Sequence, residues 1–170
     1  VTEDFLLDMG VRKSVNLDFL FANLSTLQWN NDPKPLIDYL SSAALTAADF
    51  TKLKRTQYLP AENDVSRMFA PSELYFPDSS LRMFPFIRLL QWPSDDAIIE
   101  NSPNGRFLAN LGVKTLPNLL DILNYISRSE DDDIRLRGID FVAKRLGPGG
   151  SYQSAYDRIT RSEKARLKLL

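Results

Sequence analysis

The sequence contains no cysteine and no histidine. Without cysteine there are no disulfides, no thiolate zinc sites and no thiol nucleophile. Without histidine, the commonest general base and the commonest metal ligand are both missing. Long hydrophobic runs are lacking too: none approaches the roughly 18 residues a membrane span needs, and no Arg-rich leader or signal peptide is recognisable. Neither sign of charge dominates, with 21 Lys and Arg against 22 Asp and Glu, so no global field draws the chain to nucleic acid or lipid. Catalytic signatures are equally scarce. No G-x-S-x-G elbow occurs, and serine without histidine or a placed lysine is inert. No carboxylate pair lies in an apolar setting that would move its pKa. The Gly147-Pro148-Gly149-Gly150 run lacks the spacing and the following Lys-Ser/Thr of a phosphate loop, and reads as linker. No active site, cofactor or metal is therefore expected within these residues.

What the chain does have is apolar substance. Its 170 residues are 44% hydrophobic and include 10 Phe, 6 Tyr and 2 Trp, which excludes disorder and suffices for one ordinary domain or two small ones. It also repeats itself. Phe5-Leu6-Leu7-Asp8-Met9-Gly10-Val11-Arg12 returns as Phe107-Leu108-Ala109-Asn110-Leu111-Gly112-Val113-Lys114, an offset of 102 residues. The same offset pairs Asn16-Leu17 with Asn118-Leu119 and Ile37-Asp38-Tyr39 with Ile139-Asp140-Phe141. Over residues 5–40 the ungapped comparison gives 9 identities in 36 positions, where unrelated sequences would share about two. A duplication is expected, with Phe5, Leu6, Leu17, Leu20, Ile37 and Tyr39 in the core roles of Phe107, Leu108, Leu119, Ile122, Ile139 and Phe141.

Each copy opens with a short helix ended by a glycine, Gly10 or Gly112, in the left-handed region. Thr2 caps the first, with Glu3 and Asp4 in its opening turn. A second helix follows, with a stripe at Leu17, Leu20, Phe21 and Leu24 or at Leu119, Ile122, Leu123 and Ile126. The third runs from Pro35 to Ser42 with Leu36, Ile37, Tyr39 and Leu40. In copy two it is led by Asp131, Asp132 and Asp133 and carries Ile134, Leu136, Ile139, Val142 and Leu146. Three aspartates invite a metal reading, but nothing nearby supplies further ligands, and acids at a helix start answer its dipole. A fourth helix is predicted from Thr46 to Arg55, with Phe50 and Leu53 inward; its copy-two match spans Ser151 to Ser162, with Tyr156 and Ile159 inward. After the first of these the period changes. Gln57–Pro60 and Arg67–Phe76 read as a β-hairpin or wing.

Helices followed by a two-stranded wing give the order of a winged-helix module, a class that often binds DNA. A nucleic-acid reading would rest on Lys52, Lys54, Arg55 and Arg67, with Arg82, on one open face. Asp49, Glu62 and Asp64 lie close by, and DNA affinity needs a dense basic face. A packing or protein-contact role is preferred. The most apolar stretch, Met83 to Pro93, is expected as a buried connector between the copies, with an exposed patch for a partner as the alternative. Leu27-Gln28-Trp29 and Leu90-Gln91-Trp92 share a tripeptide and read as anchoring aromatics.

Three phrases carry a family resemblance: Tyr58-Leu59-Pro60-Ala61-Glu62-Asn63, then Phe69-Ala70-Pro71-Ser72-Glu73-Leu74-Tyr75-Phe76-Pro77, and Phe107-Leu108-x-x-Leu111-Gly112-Val113. Across most of its length the chain resembles segments downstream of the ATPase domain in sacsin-like and plant NO VEIN-like proteins. It is more closely similar to a fungal family of large uncharacterised proteins. The resemblance implies a parent protein with an N-terminal GHKL-type ATP-binding domain, of which no acidic or Gly-rich box is present here.

The expected architecture is mainly α with a small β wing. A helical, winged-helix-like unit with its wing and apolar connector covers 1–102, and a truncated copy covers 103–170. The chain reads as a segment of a longer, ATPase-linked intracellular polypeptide of cytoplasm or nucleus. Its expected role is a non-catalytic structural and interaction module, whose partners are other domains of the same polypeptide or other proteins. No membrane is expected as partner, and a winged-helix nucleic-acid-binding module is the alternative.

Overall fold

A computed structural model describes residues 17–23, 32–93, 98 and 100–167. Among these the chain is mainly helical with one small sheet. In order come α1 (Leu17–Asn23), α2 (Lys34–Ser42), α3 (Ala47–Arg55), β1 (Leu59–Ala61), β2 (Asp64–Phe69), α4 (Pro103–Leu111), α5 (Leu119–Arg128), α6 (Asp132–Ala143), α7 (Gln153–Asp157) and α8 (Arg161–Arg166). Single 3₁₀ turns occupy Pro71–Glu73 and Ser79–Leu81. The expected mainly α fold with a small β wing is what forms. The opening helix at Phe5 to Gly10, Leu24 and the Leu27-Gln28-Trp29 tripeptide lie outside the described residues.

Local signals set most boundaries. Thr46 and Asp49 form a reciprocal capping box at the start of α3: the Asp49 N–H donates to Thr46 Oγ1 at 3.2 Å, and the Thr46 N–H to Asp49 Oδ2 at 2.8 Å. Lys52, Lys54 and Arg55 then fill its last turn, where the dipole favours cations. Ser102 caps α4 ahead of Pro103, and Gly112 ends it at φ 112°, a conformation costing any other residue roughly 1 kcal/mol or more. Asn118 caps α5. The aspartate triplet is a helix start: Asp131 accepts the N–H groups of Asp133 and Ile134 at 2.9 and 3.2 Å.

The chain divides into two compact units. The first takes the described residues up to Asp78 together with Ile87–Thr115; the second takes Ser79–Phe86 and the described residues from Leu116 on. These units and the two sequence copies are different divisions. By sequence α4 opens the second copy, yet it packs in the first unit on α2 and α3.

In the first unit Leu36, Ile37, Leu40, Leu53, Leu59, Phe69, Leu74, Leu90 and Leu108 form a sealed core. The hairpin β1–β2 is antiparallel, pairing Leu59 with Phe69 and Ala61 with Asp64 around a Glu62-Asn63 turn. Its outer edge is occupied: Glu62 N–H donates to the Leu89 carbonyl at 2.7 Å, and Gln91 N–H to the Pro60 carbonyl at 3.0 Å. In the second unit α5 lays Leu119, Ile122, Leu123 and Ile126 inward. Phe84 sits against the rings of Phe141 and Tyr125 at 5.2 and 5.9 Å. Gly138 is where α6 meets α5, since a Cβ there would stand 2.6 Å from Ile126 Cγ1.

Several expectations are corrected. The second strand is Asp64–Phe69, not Arg67–Phe76, because Pro71 opens a 3₁₀ turn and cannot donate to a ladder. The helix expected over Ser151–Ser162 is two, α7 and α8, because Thr160 forms its own capping box with Glu163 and starts a new helix. Tyr39, Leu136 and Ile139, taken as core, are 47%, 67% and 54% exposed. The α2 face therefore buries Leu36, Ile37 and Leu40, whereas α6 buries Gly138, Phe141 and Val142. Leu36/Gly138 and Leu40/Val142 match at the offset of 102, and Ile37/Ile139 and Tyr39/Phe141 do not. The Met83–Pro93 stretch supplies Phe84 to the second unit and Ile87, Leu89, Leu90 and Trp92 to the first.

Candidate functional site

The helix-and-wing face comes first, because the nucleic-acid alternative rests on it. Lys52 forms an ion pair with Asp18 of α1 and lies 5.8 Å from the Phe21 ring. On β2, Arg67 pairs with Glu73 at 3.1 Å and stacks 4.0 Å over Phe69. Glu73 also accepts the Ala70 N–H at 2.8 Å. Arg67 first, and that N–H second, hold the Glu73 carboxyl below its ordinary pKa. Next to them Asp64 receives Arg88 at 3.2 Å, and its carboxyl is lowered chiefly by the Ser66 hydroxyl. Lys54 and Arg55 are exposed at the end of α3. Arg82 belongs to the other unit. Lys52 and Arg67 are thus each tied to an acid and an aromatic ring. The recess beside the wing, ≈ 290 Å³ and lined by Asp64, Ser66, Arg67 and Gln91 among others, has mixed charge.

The three phrases that carried the resemblance converge in the first unit. Tyr58 N–H donates to the Phe69 carbonyl at 3.2 Å, Phe76 N–H to the Lys114 carbonyl at 2.8 Å, and Lys114 N–H to the Leu74 carbonyl at 3.0 Å. Gly112 faces Ser72 at a distance where a Cβ would make only ordinary contact, 3.6 Å from its Cα, so the left-handed φ rather than space calls for glycine there. These segments form a backbone-knit structural nucleus around α4. Within it the Tyr58 hydroxyl and the Trp92 Nε1 are buried and meet no hydrogen-bond partner among the described residues. Burial pushes the Tyr58 phenol well above the ordinary tyrosine range.

The second unit holds two concavities that sequence reasoning missed. One is a basic recess of ≈ 450 Å³ bordered by Arg82, Arg137, Lys144 and Arg145, with Ser79 and Asp140. Arg137 pairs with Asp133 at 2.7 Å and Lys144 with Asp140 at 2.6 Å, both one helical turn apart. Arg145 stacks 3.6 Å over Phe141. Those Asp-x-x-x-Arg/Lys spacings were the available signal, and they mark a solvated helix face. The other is an apolar groove of ≈ 250 Å³ between α5, α6 and the C-terminal helices, lined by Leu123, Ile126, Ile139, Val142, Leu146, Tyr156 and Leu167, with Ser127 and Arg135 the polar members. The exposed residue Ile139, misplaced in the core by its period, was the pointer.

Among the described residues no three His, Cys, Asp or Glu side chains are grouped to hold a metal. Asp132 and Asp133 instead pair with Arg135 and Arg137 on their own helix. Among the described residues no helix is long and apolar enough to cross a membrane. Residues 1–168 match the family described as "Protein of unknown function (DUF3684)", and the chain belongs to that family. No curated protein and no solved structure matches the chain.

Proposed function

We propose that this DUF3684 member is a non-catalytic structural and protein-interaction module. The observation that carries the reading is the apolar groove of the second unit, an open surface of aliphatic and aromatic side chains with few polar groups. Surfaces of that kind bind protein segments. Of the four cations that recommend nucleic acid, Lys52 is tied to Asp18 and Arg67 to Glu73, and Lys54 and Arg55 alone are too few for a dense basic face. We place the module in a large intracellular polypeptide of sacsin-like or NO VEIN-like kind with a GHKL-type ATP-binding domain, in cytoplasm or nucleus. The three quoted phrases support that context, and the partners are then other domains of the same polypeptide or other proteins.

A mobility-shift assay with duplex DNA at 150 mM salt tests this against the winged-helix alternative. The expected outcome is no sequence-selective binding, and no change on replacing Lys52, Lys54 and Arg55 by Ala. Any residual contact should fall steeply with salt, since each neutralised phosphate adds about −0.9 to the slope of log affinity on log salt. Tight binding at that salt, abolished by the triple substitution, overturns the reading.

A further inference from the structure

In the first unit α4 packs on α2 and α3. Its Phe107, Leu108 and Leu111 join the core that holds Ile37, Leu40 and Leu53. The Phe107 ring lies 5.9 Å from Phe50, and Asn104 donates to Asp38 at 2.7 Å. Ile37 and Leu40 are sealed there, at 0% exposure. The offset of 102 carries these two residues onto Ile139 and Val142 of α6. Among the described residues of the second unit, no helix of the α4 type covers that position. Ile139 is 54% exposed and, with Val142, Leu123, Ile126 and Tyr156, it lines the apolar groove.

We propose that this groove is a docking site for the segment 2–10 of a second copy of the chain, bound as a short amphipathic helix. The inference deepens the interaction reading and rests on it. Sequence selects the occupant first. Phe5-Leu6-x-x-Met9-Gly10 is the counterpart, at the same offset, of Phe107-Leu108-x-x-Leu111-Gly112, the stretch of α4 that fills the equivalent position. Phe5 and Met9 stand at i and i+4, and Leu6 and Met9 at i and i+3, two of the spacings that helix-in-groove recognition uses. Charge selects it second. Residues 1–10 hold Glu3, Asp4 and Asp8 and no Lys or Arg. Arg135 on the groove wall is already paired with Asp132 at 3.1 Å, so the cation that favours an acidic segment is Lys164, which stands 4.3 Å over the Tyr156 ring that lines the groove. Because helix and groove are different surfaces of one chain, the contact is heterologous and propagates head to tail into rings or open chains.

Sedimentation equilibrium of the full chain, from about 1 μM to about 1 mM, where such single-helix contacts fall, reads the association. The average mass should rise with concentration above that of the monomer, to a plateau if the contacts close into a ring and without one if they run on as an open chain. Phe5→Glu and Ile139→Glu should each hold the chain at monomer mass. Mixing the two variants should restore one contact only, giving a dimer that does not grow. Ile139 is exposed, so its substitution leaves the core intact. To separate binding from any folding effect at Phe5, a labelled peptide of residues 1–12 is titrated into the Phe5→Glu chain. It should bind saturably, and at least about tenfold more weakly when Ile139→Glu is added, as for a central anchor. A chain that stays monomeric and fails to bind the peptide overturns the proposal. So does association that ignores Ile139→Glu. The DNA assay above tests the broader interaction reading by itself, so the two can fail separately.

Discussion

Two buried tyrosines make opposite predictions for one substitution. Tyr152 is 2% exposed, and its hydroxyl donates to the carbonyl of buried Pro117 at 2.8 Å. Tyr152→Phe keeps the ring and its contact with Phe141, 6.3 Å between centroids, but takes the donor from that carbonyl. Leaving a buried acceptor without its partner costs about 1–3 kcal/mol. Tyr58 is 4% exposed, and its buried hydroxyl has no partner among the described residues. Desolvating an unpaired hydroxyl costs about 1–3 kcal/mol on protein mutational scales. Tyr58→Phe relieves that cost and opens no cavity, so it should be neutral to stabilising by about 1 kcal/mol. The two variants should therefore differ by about 1–4 kcal/mol. At about 2–4 °C per kcal/mol for a chain of this size, that is a separation of several degrees in Tm. Urea and thermal unfolding by circular dichroism read both. Burial raises the Tyr58 pKa, so the folded state holds the phenolic proton more tightly than the unfolded one. The associated stability is complete below the ordinary tyrosine value of about 10 and is lost as pH rises above it. Tyr58→Phe should then flatten the alkaline limb of the stability profile. A loss above about 1 kcal/mol for Tyr58→Phe, or none for Tyr152→Phe, would refute the reasoning.

Three further outcomes are expected. Gly138→Ala should destabilise, because overpacking against Ile126 at 2.6 Å costs about 1–3 kcal/mol and outweighs the roughly 1 kcal/mol that Ala contributes in a helix; a stabilised variant would sink the close approach of α5 and α6. Asn104→Ala should raise the Asp38 carboxyl toward its ordinary pKa in an NMR titration, since the Asn104 amide is the first cause of its lowering, ahead of Lys34. An unchanged titration would remove the α2–α4 tie. Glu73 is held low by Arg67 and the Ala70 N–H, so its contribution is present above the ordinary glutamate value and is lost as pH falls through the folded one. Glu73→Gln should lower stability at neutral pH by less than about 1 kcal/mol, as befits a largely exposed pair, and by nothing at pH 2.

Features decided within a few residues were legible. Thr46-x-x-Asp49, Asn118 and Gly112 each mark a helix end where one forms, and the stripe Leu119, Ile122, Leu123 and Ile126 is buried in full. The alternation of hairpin and proline announced the wing but not its limits, because Pro71 starts a turn that captures residues resembling strand. Features decided by distant partners were not legible. Nothing in the spacing says that Lys52 will meet Asp18 or Arg67 will meet Glu73, yet those pairings set two of the four candidate cations against acids. The same holds for the phase of the third helices: Phe84 reaches the inner face of α6 at Phe141, and α4 covers α2. Which residues of a helix are core depends on what is laid over them. Ile37 and Ile139 are identical by type and register, and differ only in whether a Phe-Leu-x-x-Leu-Gly helix lies on top. The offset of 102 therefore keeps neither caps nor buried faces intact: Asp131 caps α6 where Pro33 ahead of α2 makes no side-chain cap, and Thr46 caps α3 where Tyr152 ahead of α7 makes none. The segment ending in Gly112 opens the second copy by sequence yet packs within the first unit, on α2 and α3.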